Sequence, residues 1–211
     1  MKPKAPVLPA DLPLVFLEIA DGQLLERERV EQADASYGRA EHMRLDQVEL
    51  AKVNLERTEL PNSTWLDVVL RDCDLANTGL SESELVRIEV RTCRLVGVTL
   101  AGSSLQDVWF EGCKLDLANF RSARLKRVHF LDCDMKGVDF GGASLSDVNF
   151  ENCNLERTSF ERATLSEVDL RTSKIEALAS AAGLGGAVID SGQLYELAPL
   201  LAAEQGLRVE D

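Results

Sequence analysis

A large apolar residue occupies every fifth position from Leu45 to Ile175, without exception or insertion. A small residue or a valine usually stands two positions before it. This period fits neither the α-helix, with 3.6 residues per turn, nor the β-strand, whose side chains alternate. The chain must therefore turn a corner every five residues, with the central residue and the one two before it pointing inward. The sequence predicts an all-β solenoid of 27 consecutive pentapeptides between Met43 and Ala177.

A second period, of 20 residues, lies on top of the first. All five cysteines are 20 positions apart, and the phenylalanines of the repeat form two such columns, offset by ten. Four pentapeptides therefore make one coil, and residues 20 apart stack between coils. The predicted core columns are Cys73, Cys93, Cys113, Cys133 and Cys153, together with Phe110, Phe130 and Phe150 on one face and Phe120, Phe140 and Phe160 on the opposite face.

Individual repeats resemble a known motif. The segments Cys153-Asn154-Leu155-Glu156-Arg157 and Ala163-Thr164-Leu165-Ser166-Glu167 resemble the A(D/N)LXX motif of the pentapeptide-repeat family. The resemblance implies a right-handed quadrilateral β-solenoid, here a rod about 32 Å long if coils stack about 4.8 Å apart. We expect residues 1–42 to be an N-terminal capping segment, 43–177 the solenoid, and 178–211 a terminal coil, a short C-terminal α-helix and a tail.

Both ends of such a rod need covering, because each exposes apolar residues and unpaired backbone. Residues 1–42 are predicted to lie over the first coil as a strand or loop, with Ala33, Ala35 and Ala40 as a degenerate coil. The repeat fails at Ser180 and resumes in shifted phase at Leu184 and Ile189. Ser191 is then predicted to cap a helix that ends at Gly206.

One face of this helix is predicted to carry Leu194, Leu197, Leu200 and Leu201. The ending, through Leu207-Arg208-Val209-Glu210, is similar to the C-terminal segment of the quinolone-resistance members of the family. That resemblance implies a homodimer formed through the four leucines. The alternative is a helix that caps a monomer.

Charge narrows the classes of partner. The chain has 36 acidic and 23 basic residues, a net charge of −13, which disfavours direct binding to nucleic acid or an anionic membrane. No convincing targeting segment and no apolar run of membrane-spanning length occurs in the sequence. An odd number of cysteines without an export signal indicates reduced thiols and a cytoplasmic location.

The sequence offers no recognisable catalytic or metal site. Cysteines arranged along a line do not converge as zinc ligands, and their spacing disfavours disulfides. His42 and His129 lack a matching nucleophile and orienting acid, and no phosphate-binding glycine motif is present. Paired acids such as Asp132 and Asp134 are predicted on a convex, solvated wall. We expect no cofactor and no enzymatic activity.

A protein partner is the remaining expectation. Outward positions at one corner are apolar, namely Leu66, Val69, Val86 and Trp109, and they form the candidate partner interface. The alternative is that the N-terminal segment folds back over them.

Resemblance to the quinolone-resistance proteins implies a DNA-mimicking binder that protects DNA gyrase or another type II topoisomerase, and so antibiotic resistance. The competing hypothesis is a cytosolic interaction scaffold with an unknown partner.

Overall fold

The computed structural model describes residues 2–178 and 180–208 and shows a four-sided right-handed β-solenoid of about eight coils. Successive coils pair in parallel in a register of 20 residues, so that Trp65 lies between Leu45 and Leu85. The predicted fold and coil length are confirmed. Eight coils at about 4.8 Å each make a rod about 38 Å long.

The long strands each follow two neighbouring faces of the tube. We number the faces by their central residues in one coil: face 1 at Trp65, face 2 at Leu70, face 3 at Leu75 and face 4 at Leu80. Faces 3 and 4 pair between coils through single bridges. The elements are β1 (Leu24–Glu26), β2 (Arg29–Glu31), β3 (Arg44–Ala51), β4 (Thr64–Arg71), β5 (Glu84–Arg91), β6 (Ser104–Glu111), β7 (Arg124–Leu131), β8 (Ser144–Glu151), β9 (Thr164–Asp169), β10 (Ala187–Val188) and α1 (Ser191–Glu204).

The corners are made by residues in left-handed backbone conformation. Every fifth residue from Arg27 to Glu167 has a φ between 50° and 70°. Asparagine, aspartate and glycine tolerate this region, whereas other residues adopt it at a cost of about 1–2 kcal/mol. The repeated turn explains why these three residue types are frequent two positions after the central residue.

The core is a filled column of side chains. The rings of Phe110, Phe130 and Phe150 are stacked with centroids 4.9 and 5.0 Å apart. Rings from the opposite face meet them edge-on, as Phe120 meets Phe130 at 6.2 Å. All five cysteines and all six predicted phenylalanines are buried. Offset-stacked and edge-to-face pairs each contribute about 0.5–1.5 kcal/mol beyond the burial of their area.

The solenoid begins one coil earlier than the predicted boundary at residue 43. Strands β1 and β2 pair with β3, and further bridges join Asp34 to Asn54 and Arg39 to Glu59. Leu25, Val30 and Ala40 are buried at positions that continue the five-residue spacing backwards. The prediction treated this coil as a degenerate part of the N-terminal segment, because two of its four central positions are alanine.

Each end of the tube has its own cover. At the first coil, half-buried Leu17 and Ile19 pack against the core. At the last coil, β10 pairs with β9 in a register of 19 residues, Ala187 opposite Val168, which matches the predicted shift of phase. Helix α1 follows directly and ends before Gly206, which has a φ of 69°.

The start of α1 differs from the prediction by one residue. Asp190, not Ser191, is the N-cap, and it forms a capping box with Gln193. The Gln193 amide also donates hydrogen bonds to the carbonyls of Leu170 and Ser173, at 2.6 and 2.7 Å, and so ties the helix to the last coil. The predicted tail at Val209 and Glu210 lies outside the described residues.

Candidate interaction surfaces

An extended N-terminal arm, residues 2–12, runs along the outside of the tube. Its direction is set where it joins the body: Val15 donates its N–H to the Arg29 carbonyl, and Arg29 donates to Pro13. From there the arm crosses successive coils towards the C-terminal end. The Val7 N–H donates to the Asp67 carboxylate at 2.9 Å, and the Lys4 N–H donates to Asp107 at 3.1 Å. The arm therefore lies along the corner between faces 1 and 2.

The corner under the arm is a ladder of alternating charges. Arg87 forms a two-pronged ion pair with Asp67 at 2.6 Å, and Arg127 forms the same pair with Asp107 at 2.7 Å. The two carboxylates are almost completely buried, at 4% and 2% exposure. Such burial of an outward-facing aspartate at a convex corner requires a cover, and the arm provides it.

The electrostatics of the ladder follow from these contacts. Hydrogen bonds from Arg127, together with the Lys4 N–H, lower the pKa of Asp107. Burial works to raise the pKa of Asp67, but hydrogen bonds from Arg87 and Val7 outweigh it, so that this pKa is lowered too. Both carboxylates are charged acceptors for the arm at neutral pH.

The predicted partner interface flanks this ladder. Leu66 and Val86 stand on one side of the Asp67 column, and Val69 and Trp109 stand on the other. Val69 is buried, while Leu66, Val86 and Trp109 are half-buried. The structure therefore brings the four residues together at one corner, and it also places the N-terminal segment along that corner, as the alternative interpretation expected.

Next to Trp109, in the same column, lies the buried His129. The two rings are 4.3 Å apart between centroids, and His129 Nε2 lies 3.0 Å from the Glu151 carboxylate. Burial lowers the pKa of His129, against the opposing effect of Glu151. The histidine is a packed wall residue, and no nucleophile is among the partners described for it.

The four leucines predicted for a dimer face of α1 differ in burial. Leu197 is buried and Leu200 packs against the core, so these two cap the tube. Leu194 and Leu201 point away from it, at 51% and 37% exposure, beside the exposed Tyr195. The four leucines lie within an arc of about 120° around the helix, and the tube covers the part of that arc that carries Leu197 and Leu200.

The repeat region matches a family model. Residues 103–179 match the model described as the pentapeptide repeat region, and the observed coil of four five-residue faces is the geometry that such repeats form. The chain therefore contains a pentapeptide-repeat region.

Three solved structures are similar to this pentapeptide-repeat protein. A trypsin-treated form of QnrB1, a plasmid-mediated fluoroquinolone resistance protein, is 20% identical with a TM-score of 0.53, covering 92% of this chain and 100% of that chain. Full-length QnrB1 is 19% identical with a TM-score of 0.49, covering 93% and 99%. At 20% identity the first of these two likenesses shows the fold alone.

The third similar structure comes from a cyanobacterium. HetL, a protein involved in heterocyst differentiation regulation in Nostoc sp. strain PCC 7120, is 18% identical with a TM-score of 0.37, covering 82% of this chain and 91% of that chain. No curated protein gives a significant match to the sequence.

The cysteine column of this pentapeptide-repeat protein is core filler. Each thiol is free and buried, and most donate to the carbonyl 23 residues earlier, as Cys113 does to Val90 and Cys153 to Phe130, both at 3.4 Å. Buried Thr78 makes the same bond to Leu55 at 2.7 Å. A hydrogen bond with the Cys73 thiol and burial raise the pKa of Cys93. A buried thiol that no reagent can reach is not an available nucleophile.

Clefts in the part of the chain described here lie outside the tube. The cleft beyond the end of the arm has a volume of about 550 Å³ and is bordered by Lys2, His129, Asp147, Glu151 and Asp169. By contrast, a void inside the first coils measures only about 10 Å³. Within the described residues there is no group of three or more side chains able to hold a metal ion, and no helix is long and apolar enough to cross a membrane.

Sequence reasoning offered the docked N-terminal segment only as an alternative, and it missed the acceptors of the arm, Asp67, Asp107 and Gln47. One signal was available: Pro3, Pro6 and Pro9 are spaced by three, while Asp67, Asp107 and Asp147 are spaced by two coils.

Proposed function

We propose that this pentapeptide-repeat protein is a non-catalytic binding protein that docks another protein on its outer walls. The supporting observation is the filled tube, whose central residues from Leu45 to Ile175 are all almost fully buried. A ligand cavity requires inward space of several hundred Å³. Here the interior is occupied by side chains, and the surfaces available for recognition are the walls and the two ends.

As the partner we propose a type II topoisomerase, with DNA gyrase as the first to test. The support is the net charge of −13 and the similarity of the C-terminal segment to that of the quinolone-resistance proteins. An acidic rod of this kind presents to a DNA-binding enzyme a negative surface in place of DNA, because the enzyme's basic groove attracts either.

The distribution of charge indicates where such a contact would be made. Residues 43–177 contain 23 acidic and 17 basic side chains, whereas the two end segments together contain 13 acidic and 6 basic ones. On the walls many acids are paired with arginines of the same or the next coil, as Asp74 is with Arg94 at 2.9 Å. The excess of negative charge is therefore proportionally greatest at the ends.

A homodimer through α1 would place two acidic C-terminal segments side by side, and we propose this assembly as well. Its support is the exposed apolar side chains of Leu194, Tyr195 and Leu201 on α1. Light scattering after size-exclusion chromatography should give about twice the chain mass. Leu194→Glu should shift the mass to that of the monomer, while Tyr37→Glu, at an exposed aromatic of the first coil, should leave it unchanged. A stable dimer would have a dissociation constant of at most about 100 µM. If the wild type is a monomer at that protein concentration, the dimer is excluded.

The topoisomerase proposal is tested in a gyrase supercoiling assay with a fixed inhibitory concentration of a fluoroquinolone. We expect the protein to restore supercoiling at micromolar concentration, and less so when the salt is raised. Glu196→Lys, on the exposed side of α1, should weaken the effect. Glu161→Lys, an exposed acid on face 4, should weaken it less. No restoration at high micromolar protein eliminates this target.

A cytosolic location is part of the proposal, because five reduced thiols fit a reducing compartment. A fusion to alkaline phosphatase, which is active only after export, should be inactive. Strong phosphatase activity would contradict the proposed location.

A further inference from the structure

The arm and the tube are matched in length. Two N–H groups of the arm that bind the ladder, on Lys4 and Val7, are three residues apart, and their acceptors, Asp107 and Asp67, are two coils apart. Three residues of polyproline II helix rise about 9.3 Å. Two coils rise about 9.6 Å. An extended segment in this conformation therefore presents one N–H to every second coil, and aspartate occupies every second coil of this column.

The exposure of the arm has the same period. Every third residue from Pro3 to Leu12 is half-buried, and of the residues between them Leu8 alone is half-buried as well. Three residues per turn is the period of polyproline II. Proline has a φ of about −65° and restricts the residue before it to extended conformations, so Pro3, Pro6 and Pro9 favour this geometry before docking. The proline side of the arm faces the tube, and Lys4, Ala5 and Val7 face solvent.

The body recognises the arm through its backbone. Besides the two aspartates, the Gln47 amide donates to the Val7 carbonyl at 3.0 Å. Polyproline II makes no internal hydrogen bonds, so its N–H and C=O groups are free for such contacts. Arg87 and Arg127 hold the two carboxylates in place before the arm binds. None of these contacts involves a side chain of the arm. The sequence of the arm affects them only through the spacing of its prolines.

The far end of the groove is acidic. At its far end Lys2 lies in the cleft bordered by Asp147, Glu151, Glu167 and Asp169. A cationic residue at the N-terminal end of a bound segment is therefore favoured there.

We propose that this corner is a recognition groove for polyproline II segments of other proteins, with a proline at every third residue and a basic N-terminal end. In the structure the chain's own arm fills this groove, and its conformation shows which kind of segment the groove binds. Because recognition depends on backbone groups and proline spacing, a segment from a partner reproduces the same contacts and displaces the arm. The proposal does not depend on a topoisomerase partner.

The test uses full-length protein and a peptide of residues 2–10, KPKAPVLPA, labelled at its C-terminal end. In the wild-type chain the tethered arm competes at an effective concentration in the millimolar range. Pro3→Gly combined with Pro6→Gly weakens the arm and leaves the groove intact. By fluorescence anisotropy, the peptide should bind this variant at least about tenfold more tightly than the wild type.

A groove variant separates recognition from non-specific attraction. Asp107 has a φ of 58°, which glycine adopts without strain, so Asp107→Gly removes the carboxylate and keeps the corner. Added to the arm-weakened chain, it should reduce peptide affinity about tenfold, the usual effect of losing a charge-assisted hydrogen bond. The matched control is Asp132→Gly, an exposed acid at another corner with a φ of 52°, and it should retain the affinity.

Each other outcome overturns the proposal. It fails if the folded, arm-weakened chain shows no saturable binding at about 1 mM peptide. Equal binding of a peptide of the same composition, with its prolines moved out of the three-residue spacing, also overturns it. If the wild type is instead a dimer that free peptide dissociates, the groove belongs to the arm of a second copy and not to a foreign partner.

Discussion

The stacked phenylalanines allow one prediction to be worked out from geometry. Phe110 and Phe130 occupy the same column on face 2, and both are buried, at 2% and 0% exposure. They differ in ring partners among the described residues. Phe130 contacts Phe110 at 4.9 Å, Phe150 at 5.0 Å and Phe120 at 6.2 Å, whereas Phe110 contacts the ring of Phe130 only. Replacing either by leucine deletes a similar ring but a different number of ring pairs.

Each such pair contributes about 0.5–1.5 kcal/mol beyond area burial. Two additional pairs therefore make Phe130→Leu more destabilising than Phe110→Leu by about 1–3 kcal/mol. Equilibrium unfolding in urea, followed by far-UV circular dichroism, measures the difference. Because solenoids sometimes unfold in segments, the comparison requires equal slopes for the two variants.

A third variant makes the test sharper. Phe120→Leu removes one edge-on partner of Phe130, so the cost of Phe130→Leu in that background should fall by about one ring pair. The reasoning is refuted if Phe110→Leu costs as much as Phe130→Leu with equal slopes, because ring contacts would then contribute nothing measurable beyond burial.

Three further predictions rest on single residues. The buried Nε1 of Trp65 has no hydrogen-bond partner among the described groups, so Trp65→Phe should change the free energy of unfolding by less than about 1 kcal/mol, because removing the unsatisfied donor offsets the loss of area. Leu117 is 68% exposed with a φ of 59°, and Leu117→Asn should stabilise the protein by about 0.5–1 kcal/mol in a urea titration. Burial lowers the pKa of His129, so protonation favours the unfolded chain, and stability should decline as the pH falls below about 6.5. His129→Asn should reduce this decline between pH 7 and 5.5, measured as urea midpoints.

A control for Trp65→Phe and a contradicting result for each of the three predictions can be stated. Leu85→Ala on face 1 shows the cost of a cavity beside Trp65, which should be about 2–5 kcal/mol. A fall of more than about 2 kcal/mol in the free energy of unfolding for Trp65→Phe would contradict the first prediction. The second would be contradicted if Leu117→Asn destabilised the protein. For His129 the contradicting result is an unchanged pH dependence in the variant, whose new side chain is the one that Asn149 already carries in that column.

The sequence predicted those parts of the fold that its five-residue and 20-residue spacings specify. The five-residue spacing determined the four faces, because an apolar central residue must point inward at every step. The spacing of 20 among cysteines and phenylalanines determined the closure of the coil. The first coil was assigned to the N-terminal segment, as a degenerate coil, since Ala35 and Ala40 carry little hydrophobic signal.

The surfaces depended on tertiary structure for a different reason. Leu197 and Leu194 are equally apolar, and only the direction in which α1 leaves β10 decides that one is buried and the other exposed. Likewise Val7 and Asp67, which are joined by a hydrogen bond, are 60 positions apart in the sequence, and the arm lies outside the five-residue repeat.

By itself, then, the sequence determined the rod, its coil and its buried columns. Every coil repeats the same pattern of inward-pointing residues, so each repeat predicts the same packing. Tertiary structure alone decided that the N-terminal arm lies on the corner beside Trp109. That contact depends on a match between the rise of two coils and the rise of three residues of the arm. The rise of the coils exists only once the tube has formed, so the sequence alone does not show the match.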